Sequence, residues 1–212
     1  MNYEAFMKLV RDLPVIETEN VVEGFTGRNA LEVQMTRWTK QGKLVQLRRG
    51  LYVLSGPYRK ADPSEFYLAS IIRRPSYLSL EKALEYHDLI PEGVAAYTSV
   101  TTKRPARYAT GFGTFDYRHI QASLFWGYEG VAARHGTAFV ALPEKALLDL
   151  FYLKPLQPSR DCLEGLRLQT MEKINKERLF AFARRFKKPK ILKAAREIEA
   201  YRSASQNSEK VL

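Results

Sequence analysis

Residues 26–54, TGRNALEVQMTRWTKQGKLVQLRRGLYVL, decide how the first part of the chain folds. Thr26 is a candidate N-cap, and a helical pattern follows to about Lys40, just before Gly42. At ~100° per residue, Leu31, Met35 and Trp38 fall within about 60° of one another and are expected to pack inward. Asn29, Val33, Thr36, Arg37 and Lys40 lie on the opposite side. After Gly42, residues 43–47 and 51–54 are β-rich runs joined by Arg48-Arg49-Gly50, which reads as a hairpin with two arginines at its tip.

Working outward from this stretch, residues 2–12 form a helical pattern, with Phe6, Leu9, Val10 and Leu13 at helical spacing. Thr18 can cap a second short helix through Val21 and Val22 that ends at Gly24. Three helices with a glycine-bearing turn between the second and third match a helix-turn-helix, and a basic hairpin directly after it is the order of a winged helix. The outer side of the third helix suits a major groove. Asn pairs two-pronged with adenine and Arg with guanine, while Val or Thr can touch a thymine methyl. Arg28 and Lys43 add charge at its two ends, and Arg48 and Arg49 would reach phosphates or a minor groove. A solvated helix face and a charged surface turn account for either element alone; the two together favour nucleic acid.

Charge distribution points the same way. The 212 residues carry a formal net charge of +11, which suggests a polyanionic partner. Residues 28–60 hold eight bases against the single acid Glu32, residues 61–172 are close to neutral, and residues 173–202 hold eleven bases against three acids. Two basic blocks flanking a neutral middle are less expected of a merely solubilising charge, which would be spread evenly. The single cysteine, Cys162, excludes an internal disulfide and a cysteine-rich zinc site, so a reducing compartment, the cytoplasm, is expected. The N-terminal residues lack the apolar core of a signal peptide, and no run approaches the ~18 apolar residues of a membrane span.

Gly56-Pro57 and Pro63 mark a linker, giving a first domain over residues 1–56 and a second over 63–202. Residues 64–72 and 79–89 read as helices opened by serine caps, and segments near 96–102, 107–112, 114–120, 123–128 and 137–142 read as strands. A helix beginning at Pro143 is apolar on nearly every side except Asp149 and should be buried. Helices and strands mix without regular alternation, so the fold class is α+β, with a helical C-terminal tail. In that tail Leu179, Phe182, Ala183 and Phe186 form an apolar stripe that leaves Arg178, Arg184, Arg185 and Lys188 outward, and a further helix over 190–202 packs through Ile191, Ala195 and Ile198. Residues 203–212 have too few anchors to order themselves.

Catalytic constellations are weak. His87, His119 and His135 show no metal-ligand spacing, and phosphate-loop and nucleophile-elbow motifs are missing, so neither a catalytic site, a metal nor a cofactor is expected. Residues 98–105, TSVTTKRP, form a hydroxyl-rich run ending in two bases; they can bind phosphate, but an edge strand and its turn is the favoured reading. Asp116 and Arg118 share one face of a strand, where an internal ion pair explains them.

Five blocks in order, GKLVQLRRGLYVLSGPYRK (42–60), PSEFYLASIIRRPSYLSLEKALEYHDLIPE (63–92), TSVTTKRPARY (98–108), FDYRHI (115–120) and ALPEKALLDLFYL (141–153), resemble the AbiEi antitoxins of type IV toxin-antitoxin systems, the AbiE abortive-infection systems. The likeness spans about residues 3–153. It implies an N-terminal winged helix that represses its own operon by binding inverted repeats in double-stranded DNA. It also implies a C-terminal domain that counters a nucleotidyltransferase-like toxin, generally not as a stoichiometric plug on it. Asn29, Thr36, Arg37, Lys40, Arg48 and Arg49 are the DNA-contacting positions this carries over, and no motif transfers the antitoxic surface. The expected protein is thus a non-enzymatic DNA-binding antitoxin without membrane association. The alternatives are a nucleic-acid-processing enzyme with a site around Asp116 and His119, and a protein-interaction module whose basic tail grips an acidic partner.

Overall fold

Asn2 starts the first helix in the computed structural model, which describes residues 2–21 and 27–209. Its side-chain oxygen accepts from the Ala5 amide at 2.9 Å, and α1 (Tyr3–Val10) buries Phe6 and Val10. A two-residue strand β1 (Ile16–Glu17) leads into the single-turn helix α2 (Thr18–Val21). The expected cap Thr26 and the turn at Gly24 lie outside the described residues. Helix α3 (Arg28–Lys40) starts behind Gly27, whose φ of 142° is a backbone that L side chains rarely adopt. Strands β2 (Leu44–Arg48) and β3 (Leu51–Leu54) form the expected antiparallel hairpin, with an irregularity between Gln46 and Arg48. β1 pairs with β3, so among the described residues this sheet has the order β1-β3-β2.

The hairpin is shared between two cores. Leu44, Tyr52 and Leu54 join Phe6, Val10, Ile16, Leu31, Met35 and Trp38. Leu47, Leu51 and Val53 join a much larger cluster built from residues 68–198. Because side chains alternate across a strand, the run LYVL in β3 sends Tyr52 and Leu54 one way and Leu51 and Val53 the other, and all four are buried. The segment 1–56 therefore shares a core with the second part of the chain.

The remainder is α+β. Helix α4 (Glu65–Ile72), capped by Ser64, precedes strand β4 (Ser76–Leu78) and helix α5 (Leu80–Tyr86). Strands β5 (Ala96–Thr101), β6 (Ala106–Thr110), β7 (Gly113–His119), β8 (Tyr128–Ala133) and β9 (Gly136–Ala141) come next. With β4 they make a mixed sheet, order β6-β7-β5-β4-β9-β8 among the described residues, with β5/β7 and β4/β9 parallel. Helix α6 (Pro143–Leu153) is buried, and α7 (Arg160–Gly165), α8 (Lys176–Arg185) and α9 (Pro189–Glu209) complete the chain.

Four expectations change. The strand placed at 123–128 is a short 3-10 turn, Ala122–Leu124, and the strand itself begins at Tyr128; the apolar residues Leu124 and Trp126 anchor the turn in the core rather than alternating along a strand. Residues 98–101 are not an edge strand: β5 lies between β7 and β4, and the Thr98 and Thr101 hydroxyls donate to the Ser79 and Pro75 carbonyls, both at 2.7 Å. Interior placement is possible because these hydroxyls find backbone acceptors. The helix expected to Leu89 stops at Tyr86, with Asp88 at φ 56°. The tail expected to be disordered from residue 203 continues α9 to Glu209, with the Ser203 and Ser205 hydroxyls donating to Glu199 Oε1 and the Tyr201 carbonyl; residues 210–212 lie outside the described residues.

One polar cluster sits inside this core. Lys145 and Asp149, one turn apart on α6, form an ion pair with no solvent exposure on either side chain. Lys145 Nζ also donates to Tyr77 Oη at 2.8 Å, while Asp149 Oδ2 accepts from Tyr77 Oη at 3.0 Å and Ser79 Oγ at 2.9 Å. Burial pushes the Asp149 carboxyl up and the Lys145 ammonium down, and each partner opposes the shift in the other. Next to them the buried Glu144 accepts from Arg178 Nε at 2.8 Å and Nη2 at 3.0 Å, and from the Asn175 amide at 2.7 Å. Arg178, expected on the outer face of the tail, is thus drawn inward by a carboxylate that needs a partner.

Candidate nucleic-acid interface

Helix α3 separates two environments. Leu31 and Met35 are fully buried and Trp38 nearly so, with the indole 4.5 Å from the Phe6 ring centroid and 5.3 Å from that of Tyr3. Asn29, Val33, Thr36, Arg37 and Lys40 are all exposed, Val33 to 58%. The Thr36 hydroxyl donates to the Glu32 carbonyl one turn back at 2.8 Å. Arg37 and Lys40 stand in the last turn, where the helix carbonyl ends favour positive charge. Arg28 is the first residue of the helix. The structure therefore gathers five of the nine anticipated side chains on one outward helix side.

The other candidates are arranged differently. Lys43 is half-buried with its ammonium 4.2 Å above the Tyr3 ring, so it closes the edge of the small core. Arg48 turns towards the second unit, its Nε donating to the Ile72 carbonyl at 2.6 Å and its Nη1 to the Arg49 carbonyl at 2.9 Å. Arg49 is 86% exposed and pairs with Glu32 of α3 at 3.1 Å, which holds the hairpin tip beside the outer side of the helix.

Three cations of the second unit meet this tip, a convergence that the sequence pattern does not reveal. Arg48, Arg49, Arg73, Arg74 and Lys103 line one cavity together with Tyr108. The only local signal is a pair of dibasic-proline runs, Arg73-Arg74-Pro75 and Lys103-Arg104-Pro105.

Elsewhere the chemistry-bearing residues are scattered. Asp116 pairs with Arg118 at 2.9 Å, as the strand spacing suggests, and His119 Nδ1 lies 3.1 Å from the Lys103 carbonyl. Burial pushes the half-buried Cys162 thiol up, away from the reactive thiolate. Among the described residues, no three His, Cys, Asp or Glu side chains are placed to share a metal ion, and no helix is long and apolar enough to cross a membrane. In the tail, Arg184, Arg185 and Lys188 stay exposed, and the Arg185 guanidinium lies 4.2 Å from the Trp126 ring centroid.

His87 has a structural task with a pH signature. Its Nε2 lies 2.7 Å from the Ala141 carbonyl, so that nitrogen carries the proton of a neutral imidazole, and burial holds the group below its ordinary value. The folded state then binds fewer protons than the unfolded chain. The stabilisation is present in full above the unfolded value of about 6.5 and is lost as the pH falls through it. Melting temperatures measured from neutral to mildly acidic pH should drop more for the wild type than for His87→Gln; parallel curves would refute this.

No family model matches the chain, and no curated protein matches it.

Proposed function

We propose that residues 1–56 are a winged helix-turn-helix that binds double-stranded DNA, and that the protein is a cytoplasmic autorepressor and antitoxin of the AbiEi kind, without an enzymatic activity of its own. Its counterpart is a nucleotidyltransferase-like toxin. The order α1-β1-α2-α3-β2-β3 with the sheet order β1-β3-β2 supports the winged-helix reading. The single observation that carries DNA binding is the outward side of α3, where Asn29, Val33, Thr36, Arg37 and Lys40 stand in solvent behind a buried Leu31-Met35-Trp38 stripe. Thirteen residues make a helix of about 20 Å, which fits a major groove about 12 Å wide.

The test is binding of the purified chain to duplexes from its own promoter, read by fluorescence anisotropy. Asn29→Ala and Arg37→Ala should each cost about 1–3 kcal/mol on the preferred site and relax the preference at one base pair. Arg49→Ala should weaken all duplexes alike and lower the salt slope by about 0.9. Affinity and preference unchanged by Asn29→Ala and Arg37→Ala would overturn the assignment. For the antitoxin role, co-expression of the chain should restore growth of cells producing a nucleotidyltransferase-like toxin encoded beside it.

A further inference from the structure

A separate cavity of about 330 Å³ opens between α4 and the β8–β9 hairpin. It exists because β4 is short. β9 pairs with β8 along its whole length but with β4 only at Leu78 and Val140, so the first half of β9 lacks a second partner strand among the described residues. The Phe139 amide donates instead to Ser70 Oγ of α4 at 3.0 Å.

Aromatic rings from different elements line this gap. Phe125 and Tyr128 pack edge to face with centroids 5.2 Å apart, as do Tyr128 and Phe139 at 5.9 Å, and Tyr128 stacks on the buried Tyr77 at 4.6 Å. Tyr67 of α4 lines the same space but makes no ring contact with those three among the described residues. Its ring lies over Gly136, where a Cβ would come within 2.2 Å of it, so only glycine leaves it that place. Phe139 stays 39% exposed, although burying a ring of its size is favourable. A flat ring entering the gap would meet these side chains in stacked or edge-on contact.

Polar groups in the lining are few. Ser70 and Ser76 donate their hydroxyls to the Phe66 and Ala69 carbonyls at 3.3 and 3.4 Å, so neither is free to donate to a ligand. The Tyr67 and Tyr128 hydroxyls make no hydrogen bond among the described residues. Arg74 is the only charged residue of the lining. Its Nη1 donates to the Glu17 carboxylate at 3.1 and 3.4 Å, while Nε and Nη2 have no acceptor among the described residues. The pair is solvent-accessible, so it is weak, and the spare donors of the guanidinium fit a second anion.

We propose that this cavity binds a small planar aromatic anion, with its ring between Tyr67 and the cluster of Phe125, Tyr128 and Phe139 and its acidic group on Arg74. The volume lies at the lower end of the range for small-molecule sites, roughly 300–1,000 Å³, which suits one or two fused rings and is too small for a dinucleotide. An aromatic carboxylate and a nucleoside monophosphate share this chemistry. Such a site stands whether or not α3 reads a duplex.

In the test, the full-length chain is titrated calorimetrically with naphthoate, its neutral counterpart naphthylmethanol, its saturated counterpart decahydronaphthoate, and adenosine monophosphate. Naphthoate or the nucleotide should bind, one molecule per chain, about 10-fold or more tightly than the neutral and the saturated compounds. Arg74→Gln should weaken that binding by about 10-fold or more through loss of a charge-assisted hydrogen bond. Phe139→Leu, which keeps the apolar volume and removes the ring, should weaken it by about 5-fold. Thermal melts check that both variants fold, and Arg74→Gln, at an exposed position, serves alone if Phe139→Leu does not. Binding of naphthoate without the nucleotide assigns the site to aromatic acids; binding of the nucleotide with the same losses in the variants assigns it to nucleotides. Equal affinity for naphthylmethanol or for decahydronaphthoate would overturn the assignment, as would an affinity unchanged in Arg74→Gln or binding of none of the four compounds.

Discussion

Replacing Lys145 by alanine should remove about 3–5 kcal/mol from the folded state, because it leaves the Asp149 carboxylate buried without its cation. At about 2–4 °C per kcal/mol for a chain of this size, the melting temperature should fall by about 6–20 °C. The Tyr77 and Ser79 hydroxyls would still donate to Asp149, but two neutral donors do not replace an ammonium in a fully buried site. The charge, and not the space Lys145 fills, is what this prediction turns on. Lys145→Met combined with Asp149→Leu removes both charges at similar volume and should recover most of the loss, although Tyr77 and Ser79 then lack their acceptor. Denaturation of the three proteins side by side decides it. A single variant as stable as the wild type would show that Asp149 is neutral or otherwise satisfied, and a double variant no better than the single one would show that packing dominates.

Trp38→Ala should have an effect of comparable size, about 3–5 kcal/mol, and a different reach. The indole fills the small core between Phe6 and Tyr3, and it is what sets the outer side of α3 towards solvent. β3, however, is anchored in both cores, with Leu51 and Val53 held by the larger one. Amide exchange should therefore accelerate in α1 and α3 while β3 stays protected, and duplex binding should fall with the loss of order in α3. Uniform acceleration throughout the chain would mean that the two cores unfold as one.

Much of the proposed interface is legible in the residues from 26 to 54. Helical spacing in Leu31, Met35 and Trp38 and two-residue spacing in Leu51 to Leu54 are local patterns, and local patterns survive whatever the rest of the chain does. The exposed set Asn29, Val33, Thr36, Arg37 and Lys40 arises from the same periodicity. The two- and three-residue strands β1 and β4 are not legible, because so short a strand has no period to detect and forms only when a neighbour offers its hydrogen bonds. β8 begins at Tyr128 because pairing with β9 sets its register, a contact that residues 123–128 by themselves do not encode.

Charge shows the same division. In the sequence, Asp149 is a lone polar break on an apolar helix and Arg178 a member of an outward basic row. In the fold, Asp149 is one end of a buried pair and Arg178 reaches 34 residues back along the chain to Glu144. Arg48 and Arg49 look equivalent as neighbours in the chain, yet the Ile72 carbonyl takes one and Glu32 the other.

The amino-acid sequence by itself determined the helices and hairpin of the first unit, the outward side of α3 and the α+β character of the whole, since each rests on spacing within a few turns or a single strand. Tertiary structure alone decided that β3 serves two cores, that Lys145 and Asp149 meet Tyr77 and Ser79, and that Arg73, Arg74 and Lys103 converge on the hairpin tip. Those outcomes depend on segments tens of residues apart being brought together, and the free energy of burying apolar surface, not any local pattern, selects which segments meet.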